Sequence, residues 1–334
     1  LDDLVARDRV EHQPDDFYPA IIESCRYADD LFLVPYFFNV SLLYYNIDMF
    51  AEAGVQLPSN DWTWSDYVQN ARELTQFYRG RGEDKYGTTI VAGWWVEWLC
   101  HVHQAGGQLI GDDWHHSPMD SPQAIEALQF FSDLVNVHKV SPATRDILPY
   151  MFVNQHSAMQ WGGHTENWVG LRKNAEFRWD VALLPGHESG NRGSERVAVG
   201  MGINKKSPHR ELAWEFIKYF ANYESHRKLC VAGYVPVRKS VAAAEFFTKG
   251  VEWRYEVDPQ NKDIVFDAYE TELRDLSSLP EFVALAQRHA LPYVLAMLAG
   301  DLTAEQCGKA IAEEVSNAMK MVDRFNPEYD YAGQ

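Results

Sequence analysis

Carboxylates set among tryptophans are the first pattern in this chain with chemical potential. Residues 93–103, GWWVEWLCHVH, bring Trp94, Trp95, Glu97 and Trp98 close together. Residues 159–168, MQWGGHTENW, do the same for Gly162, Gly163, His164, Thr165, Glu166 and Trp168. Two carboxylates flanking a sugar ring can cleave a glycosidic bond, so Glu97 and Glu166 are a candidate catalytic pair. Nothing in the spacing fixes their separation, and the same residues suit binding without chemistry. An aromatic ring desolvates a sugar's C–H face, while the hydroxyls need fixed donors and acceptors. Two of the three tryptophans at 94–98 read as ordinary core, and Trp95 is taken as the exposed one. Trp168 reads equally well as part of a helix's packed face, and His164 as a solvated loop residue.

A metal site would draw on Cys100, His101, His103, His115 and His116. On a helix His101 and His103 point to different sides, as residues two apart do, and DDWHH at 112–116 reads as a solvated loop. Neither a metal nor a cofactor is expected. Cys25, Cys100, Cys230 and Cys307 lie far apart without a C-x-x-C pair, which excludes zinc-ribbon and thioredoxin motifs and leaves them as small buried hydrophobes. Acids exceed bases by 48 to 30, for a net charge of −18. That balance disfavours nucleic acid and anionic membranes, which require basic patches. No apolar run reaches the ~18–20 residues of a membrane span. No basic segment with a following apolar stretch opens the sequence, so no signal peptide is read in it.

The elements that must position these residues alternate. Helices are expected in "SPQAIEALQFFSDLVNVH", with Ser121 as cap and Pro122 first, and in "TWSDYVQNARELTQFY" and "TAEQCGKAIAEEVSNAMKMV", with capping boxes Thr63/Asp66 and Thr303/Gln306. "SPHRELAWEFIKYF" repeats the Ser-Pro device and is read as burying Leu212, Ala213, Phe216, Ile217 and Phe220. Strands are expected at 86–91, 157–161, 180–184 and 196–203. Strands separated by helices imply an α/β fold with mainly parallel pairing. The run from Leu31 to Tyr45 is too long for one typical strand of about 5–6 residues. It is read as two, 31–36 and 40–45, with Pro35 and Asn39 at a hinge between two domains.

The stretch "LFLVPYFFNVSLLYYNIDMFAEAG" followed by "TWSDYVQNARELT" resembles the family 1 extracellular solute-binding proteins of bacterial ABC importers, which include the maltose-binding protein. "VNQHSAMQWGGHTENW", "VAVGMGINKKSPHRELAWEFIKYFANYESHRKL" and "GYVPVRKSV" extend the likeness over nearly the whole chain. Family members begin with a strand–helix–strand region ahead of the segment like "LDDLVARDRV", so the first lobe is expected to be incomplete at its N-terminus and to expose apolar sheet surface. The resemblance implies a two-lobed, hinge-connected, type II-like periplasmic-binding-protein fold. Lobe 1 would comprise 1–37 and 201–277, and lobe 2 would comprise 38–200 and 278–334. Crossings would lie near 35–40, 197–203 and 275–281. It further implies a non-catalytic, extracytoplasmic monomer, secreted or lipid-anchored. Such a protein would carry a mono- or oligosaccharide, or else a polyol, glycerol phosphate ester or peptide, to membrane permease subunits. A phosphate is disfavoured, since "GGHTENW" offers no Arg/Lys cluster. The implied ligand contacts are Phe37, Asn39, Trp94, Trp95, Gly162, Gly163, His164, Thr165, Glu166 and Tyr234, while Arg238 is read as a surface residue.

Overall fold

A computed structural model describes residues 1–27, 29–113, 115–142, 151–165, 167–194, 196–249, 259–270 and 281–321. After a small antiparallel pair, β1 (Arg26–Tyr27) and β2 (Asp30–Leu31), the chain enters β3, Val34–Asn46. The expected pair of strands is one continuous strand of 13 residues, not two. Pro35, which has no N–H to offer, sits at a register shift between Pro35 and Phe37, where the ladder tolerates a missing donor. The partners change along it. Val34 to Val40 pair with β7 (Arg196–Met201), Ser41 to Tyr45 with β5 (Met159–His164), and Leu43 to Asn46 with β6 (Trp179–Ala182).

The sheet order is β4–β5–β3–β6, with β4 (Thr89–Ile90) beside β5 and β7 on the first half of β3. Mainly parallel pairing is not what forms: β4–β5 is parallel, and β3 is antiparallel to β5, β6 and β7. The helical crossovers do leave β4, β5 and β6 running one way, as alternation predicts. β3 is inserted between β5 and β6 in the opposite sense, so those two never touch.

Side chains alternate across β3. Val34, Phe38, Val40, Leu42 and Tyr44 enter one apolar core with Trp168, Trp179, Trp214 and Ile217. Leu43 and Tyr45 enter another with residues of the helices Trp64–Gly80, Trp95–Gln104, Pro122–Asn136 and Ala304–Lys320. The caps fall where the sequence puts them. Thr63 N–H donates to Asp66 Oδ2 at 2.8 Å and Thr303 N–H to Gln306 Oε1 at 2.9 Å, and Ser121 Oγ accepts from Ala124 N–H at 3.3 Å.

The helix Arg210–Phe220 departs from expectation. It begins after His209, and Ser207 Oγ accepts from the His209 N–H instead of capping the helix. Trp214, Ile217 and Lys218 are buried, whereas Leu212 and Phe216 are 70% and 57% exposed. This helix carries two apolar stripes, and the one holding the largest ring is packed. Trp214 also donates its indole N–H to Asp8 Oδ2 at 2.7 Å, and Lys218 Nζ lies 2.6 Å from Glu11 and 3.1 Å from Asp8. Arg238 is a buried residue, not a surface one. It lies over the Phe17 ring at 4.2 Å, donates to the His12 and Ala221 carbonyls, and pairs with Asp16 at 3.1 Å. A guanidinium can be buried when its donors are all directed to oxygen.

Candidate functional site

The parallel strands β4 and β5 end on the same side of the sheet, and ligands of open α/β sheets bind outside such carboxyl ends. Beyond β4 the chain passes Gly93 and Trp94 before the helix Trp95–Gln104, and beyond β5 it turns at Thr165 into the helix Asn167–Asn174. Gly162 joins the two ends. Its φ is +75°, and a Cβ there would lie 3.4 Å from Glu97 Cα, so β5 packs closely on the first turn of the other helix. At the middle of β3, the Thr165 hydroxyl lies 2.8 Å from Asn39 Oδ1 and 3.0 Å from the Phe38 carbonyl, with Asn39 and Thr165 both buried. Gly163 faces Leu42 and His164 faces Ser41 in the ladder.

Two pairs of the expected contacts meet: Asn39 with Thr165, and, on the other half of β3, Phe37 with Tyr234, while Gly162 lies against Glu97. The Phe37 and Tyr234 rings stand 4.9 Å apart. The Tyr234 loop is held by Gly233, whose φ of +120° and 2.9 Å Cβ approach to the Val169 backbone exclude a side chain. Glu166 lies outside the described residues, as does most of the expected 275–281 crossing.

Trp95 is the clear correction. It is 2% exposed and meets Phe282 edge-on at 4.8 Å, while Trp94 is 40% exposed. The helix starts at Trp95, so Trp95 and Trp98 share its buried face three residues apart, and Trp94 stands before the first turn. Trp168 takes the packed-face reading and is fully buried. His101 is buried and stacks on Trp161 at 4.4 Å, and burial holds it neutral with a pKa of about 3. Among the described residues no group of three His, Cys, Asp or Glu can hold a metal, and all four cysteines are buried thiols outside any disulfide.

Glu97 is the titratable group that stands out. Its Oε2 accepts the Trp94 N–H at 2.8 Å, and the Gly93 amide also bonds to it. Burial nevertheless pushes its carboxyl up to about 7, because those two bonds only partly offset the loss of water. A carboxyl raised by folding contributes stability that is complete below its ordinary value of 4.5 and lost as pH rises through about 7. Glu97→Gln is therefore expected to unfold at higher urea than wild type at pH 8, by about 1–3 kcal/mol, and to match it at pH 4. Parallel pH dependence in the two proteins would show that Glu97 is not the group.

Sequence reasoning missed Gln287, whose Nε2 donates to the Gly93 carbonyl at 3.1 Å. It lies on the Leu285–Ala290 turn of π-helix, which no local pattern announces and which brings it to a residue 194 positions earlier.

The family described as bacterial extracellular solute-binding protein matches residues 1–226. An arabinooligosaccharide-binding protein of Halalkalibacterium halodurans is 26% identical over 253 residues, covering 71% of this chain and 54% of that protein. A maltotriose-binding protein of Pyrococcus abyssi is 23% identical over 254 residues, covering 72% and 51%. The chain thus spans about half the length of the curated relatives it matches. Among solved structures, an ABC substrate-binding protein of Listeria monocytogenes in complex with cycloalternan has a TM-score of 0.78 at 22% identity, covering 92% of this chain and 76% of that one. Maltose-bound MalE3 of T. maritima has a TM-score of 0.75 at 23% identity, covering 94% and 79%. The fold is thus the two-lobed one of these binding proteins. With residues 1–226 of 334 matched, the chain belongs to the bacterial extracellular solute-binding protein family.

Proposed function

We propose that the protein is the extracytoplasmic binding component of an ABC importer, taking a mono- or oligosaccharide into a crevice between two lobes. It is not an enzyme in this reading. It acts as a monomer, delivers ligand to membrane permease subunits, and does not bind nucleic acid. Lobe 1 comprises 1–37 and 201–277, lobe 2 comprises 38–200 and 278–334, and the chain crosses near 35–40, 197–203 and 275–281. The observation that carries the reading is the exposed Trp94 indole at the shared carboxyl end of β4 and β5. A half-exposed ring offers a sugar's C–H face a surface to leave water on, and the Asn39–Thr165 pair supplies polar atoms fixed by packing. The ligands for which the relatives are named, arabinooligosaccharide, maltotriose, cycloalternan and maltose, are of the same class.

Ligand that prefers the closed arrangement of the lobes would draw the population toward it. The test is a thermal-shift screen with arabinotriose, maltotriose, maltose, ribitol, mannitol and glycerophosphocholine. A ligand at 100 times its Kd raises stability by ~2.7 kcal/mol, which a melting curve resolves easily. A carbohydrate hit without turnover supports the reading. A shift with glycerophosphocholine alone would transfer the scaffold to a different solute class. For the hit, Trp94→Ala is expected to weaken binding about tenfold or more, or ~1.4 kcal/mol, with its melting point without ligand unchanged. Equal affinity by calorimetry would remove Trp94 from the site.

A further inference from the structure

The corner that presents Trp94 is held from two sides, by Glu97 in the first turn of the helix that follows it and by Gln287, 194 positions from Gly93 in sequence. On one side, Glu97 Oε2 accepts the Trp94 N–H at 2.8 Å and the Gly93 N–H bonds to the same carboxyl. On the other, Gln287 Nε2 donates to the Gly93 carbonyl at 3.1 Å. The peptide groups on both sides of Gly93 are thereby fixed, although neither belongs to a strand or a helix. Gly162 backs the arrangement: a Cβ there would come to 3.4 Å from Glu97 Cα, so β5 runs close beside the first turn of the helix. Gln287 itself sits on a π-turn between the short helix Phe282–Ala284 and the helix Leu291–Leu298. Such turns displace a side chain from regular helical register and recur at functional sites.

We propose that Glu97 and Gln287 are positioning residues that clamp the Gly93–Trp94 corner and so set the direction in which the Trp94 indole faces the crevice. This rests on the reading of Trp94 as the aromatic surface for ligand and deepens it, because a ring discriminates among sugars only if its plane is fixed. The clamp is also sensitive to protons. An ionised carboxylate accepts from amides about twice as strongly as a neutral acid, and burial has brought Glu97 to the point of changing state near neutrality, at about 7.

The surroundings leave Glu97 to govern that change. On its own helix the next titratable groups are Cys100, whose thiol contacts the Glu97 carbonyl at 3.9 Å, and His101, kept neutral by burial. β5 presents Gly162 to it, and the Leu285–Ala290 turn presents uncharged Gln287, with Arg288 exposed. The causes of the Glu97 shift are burial and the two backbone bonds, with no charged side chain among them.

The experiment needs no ligand. Protein labelled with 5-fluorotryptophan gives one fluorine resonance per tryptophan, and the Trp94 resonance is the one missing from Trp94→Phe. In wild type it should move with pH through a single midpoint near 7. In Glu97→Gln, which keeps an acceptor for both amides, that titration should be lost. In Gln287→Ala the midpoint should remain while the resonance lies at a different position at pH 8. A Trp94 resonance that is flat in wild type, or that titrates equally in Glu97→Gln, would overturn the role of Glu97. An unshifted resonance in Gln287→Ala would overturn the role of Gln287. A purely structural capping role would change stability without giving Trp94 a titration. Because no sugar is present, failure here leaves the carbohydrate reading standing, and a failed sugar screen leaves this result standing.

Discussion

Trp95→Ala is expected to lower the free energy of unfolding by about 3–5 kcal/mol, the usual cost of removing a large buried ring. Trp95 is 2% exposed, lies within the core formed by the helices around β4 and β5, and packs edge-on against Phe282. Its neighbour Trp94 presents its ring to solvent, so Trp94→Ala should leave stability within about 0.5 kcal/mol. Two adjacent tryptophans should therefore separate into one effect on folding and one on ligand. Urea denaturation of the two variants side by side decides it. Equal destabilisation, or a stable Trp95→Ala, would mean that the helix begins at another residue and that the buried and exposed rings have been exchanged.

Gly87→Ala should be at least as damaging, at about 3 kcal/mol or more, for a different reason. A Cβ at Gly87 would run into the Ala71 carbonyl oxygen and lie 2.6 Å from Ala71 Cα, both backbone atoms of the helix Trp64–Gly80 that cannot turn aside. Thr75 locks the same contact. Its hydroxyl donates to the Ala71 carbonyl at 2.7 Å and accepts the Gly87 N–H at 2.7 Å. The segment leading into β4 therefore lies directly on that helix, and an added methyl must push the two apart. Gly170, inside the helix Asn167–Asn174, is the contrast. A Cβ there meets nothing within 4 Å, so Gly170→Ala should stabilise by about 0.5–1 kcal/mol through helix propensity. Melting points of both variants test this together. A mild Gly87→Ala would show that the strand and the helix can separate without loss.

Much of the frame is legible because it depends on neighbours in sequence. Thr63 with Asp66, Thr303 with Gln306, and Ser121 before Pro122 form caps from residues within one helical turn, so their spacing suffices to predict them. The long apolar run containing Pro35 and Asn39 gives the long strand β3, though as one strand and not two, and the order of motifs along the chain carries the family. Asn39 and Thr165 were both foreseen as site residues, but their bond at 2.8 Å joins positions 126 apart.

The errors are of one kind. Helical periodicity offers two apolar stripes on the helix Arg210–Phe220, and only the packing of Trp214 against Asp8 and its surroundings decides which is covered. Alternating strands and helices predict that β4, β5 and β6 run one way, yet cannot reveal that β3 slips between two of them in reverse. Arg238 reads as a surface charge until the His12 and Ala221 carbonyls and Asp16 converge on it. Trp94 and Trp95 differ by one position, so the residue at which the helix starts decides which ring is wet. The sequence by itself thus determined the helices capped at Thr63, Ser121 and Thr303 and the family, because these follow from local stereochemistry and the order of residues. Which face is buried, which tryptophan is exposed and which distant Gln287 braces it were decided only by the tertiary structure. Burial and hydrogen-bond partners belong to surfaces that meet after the chain has folded.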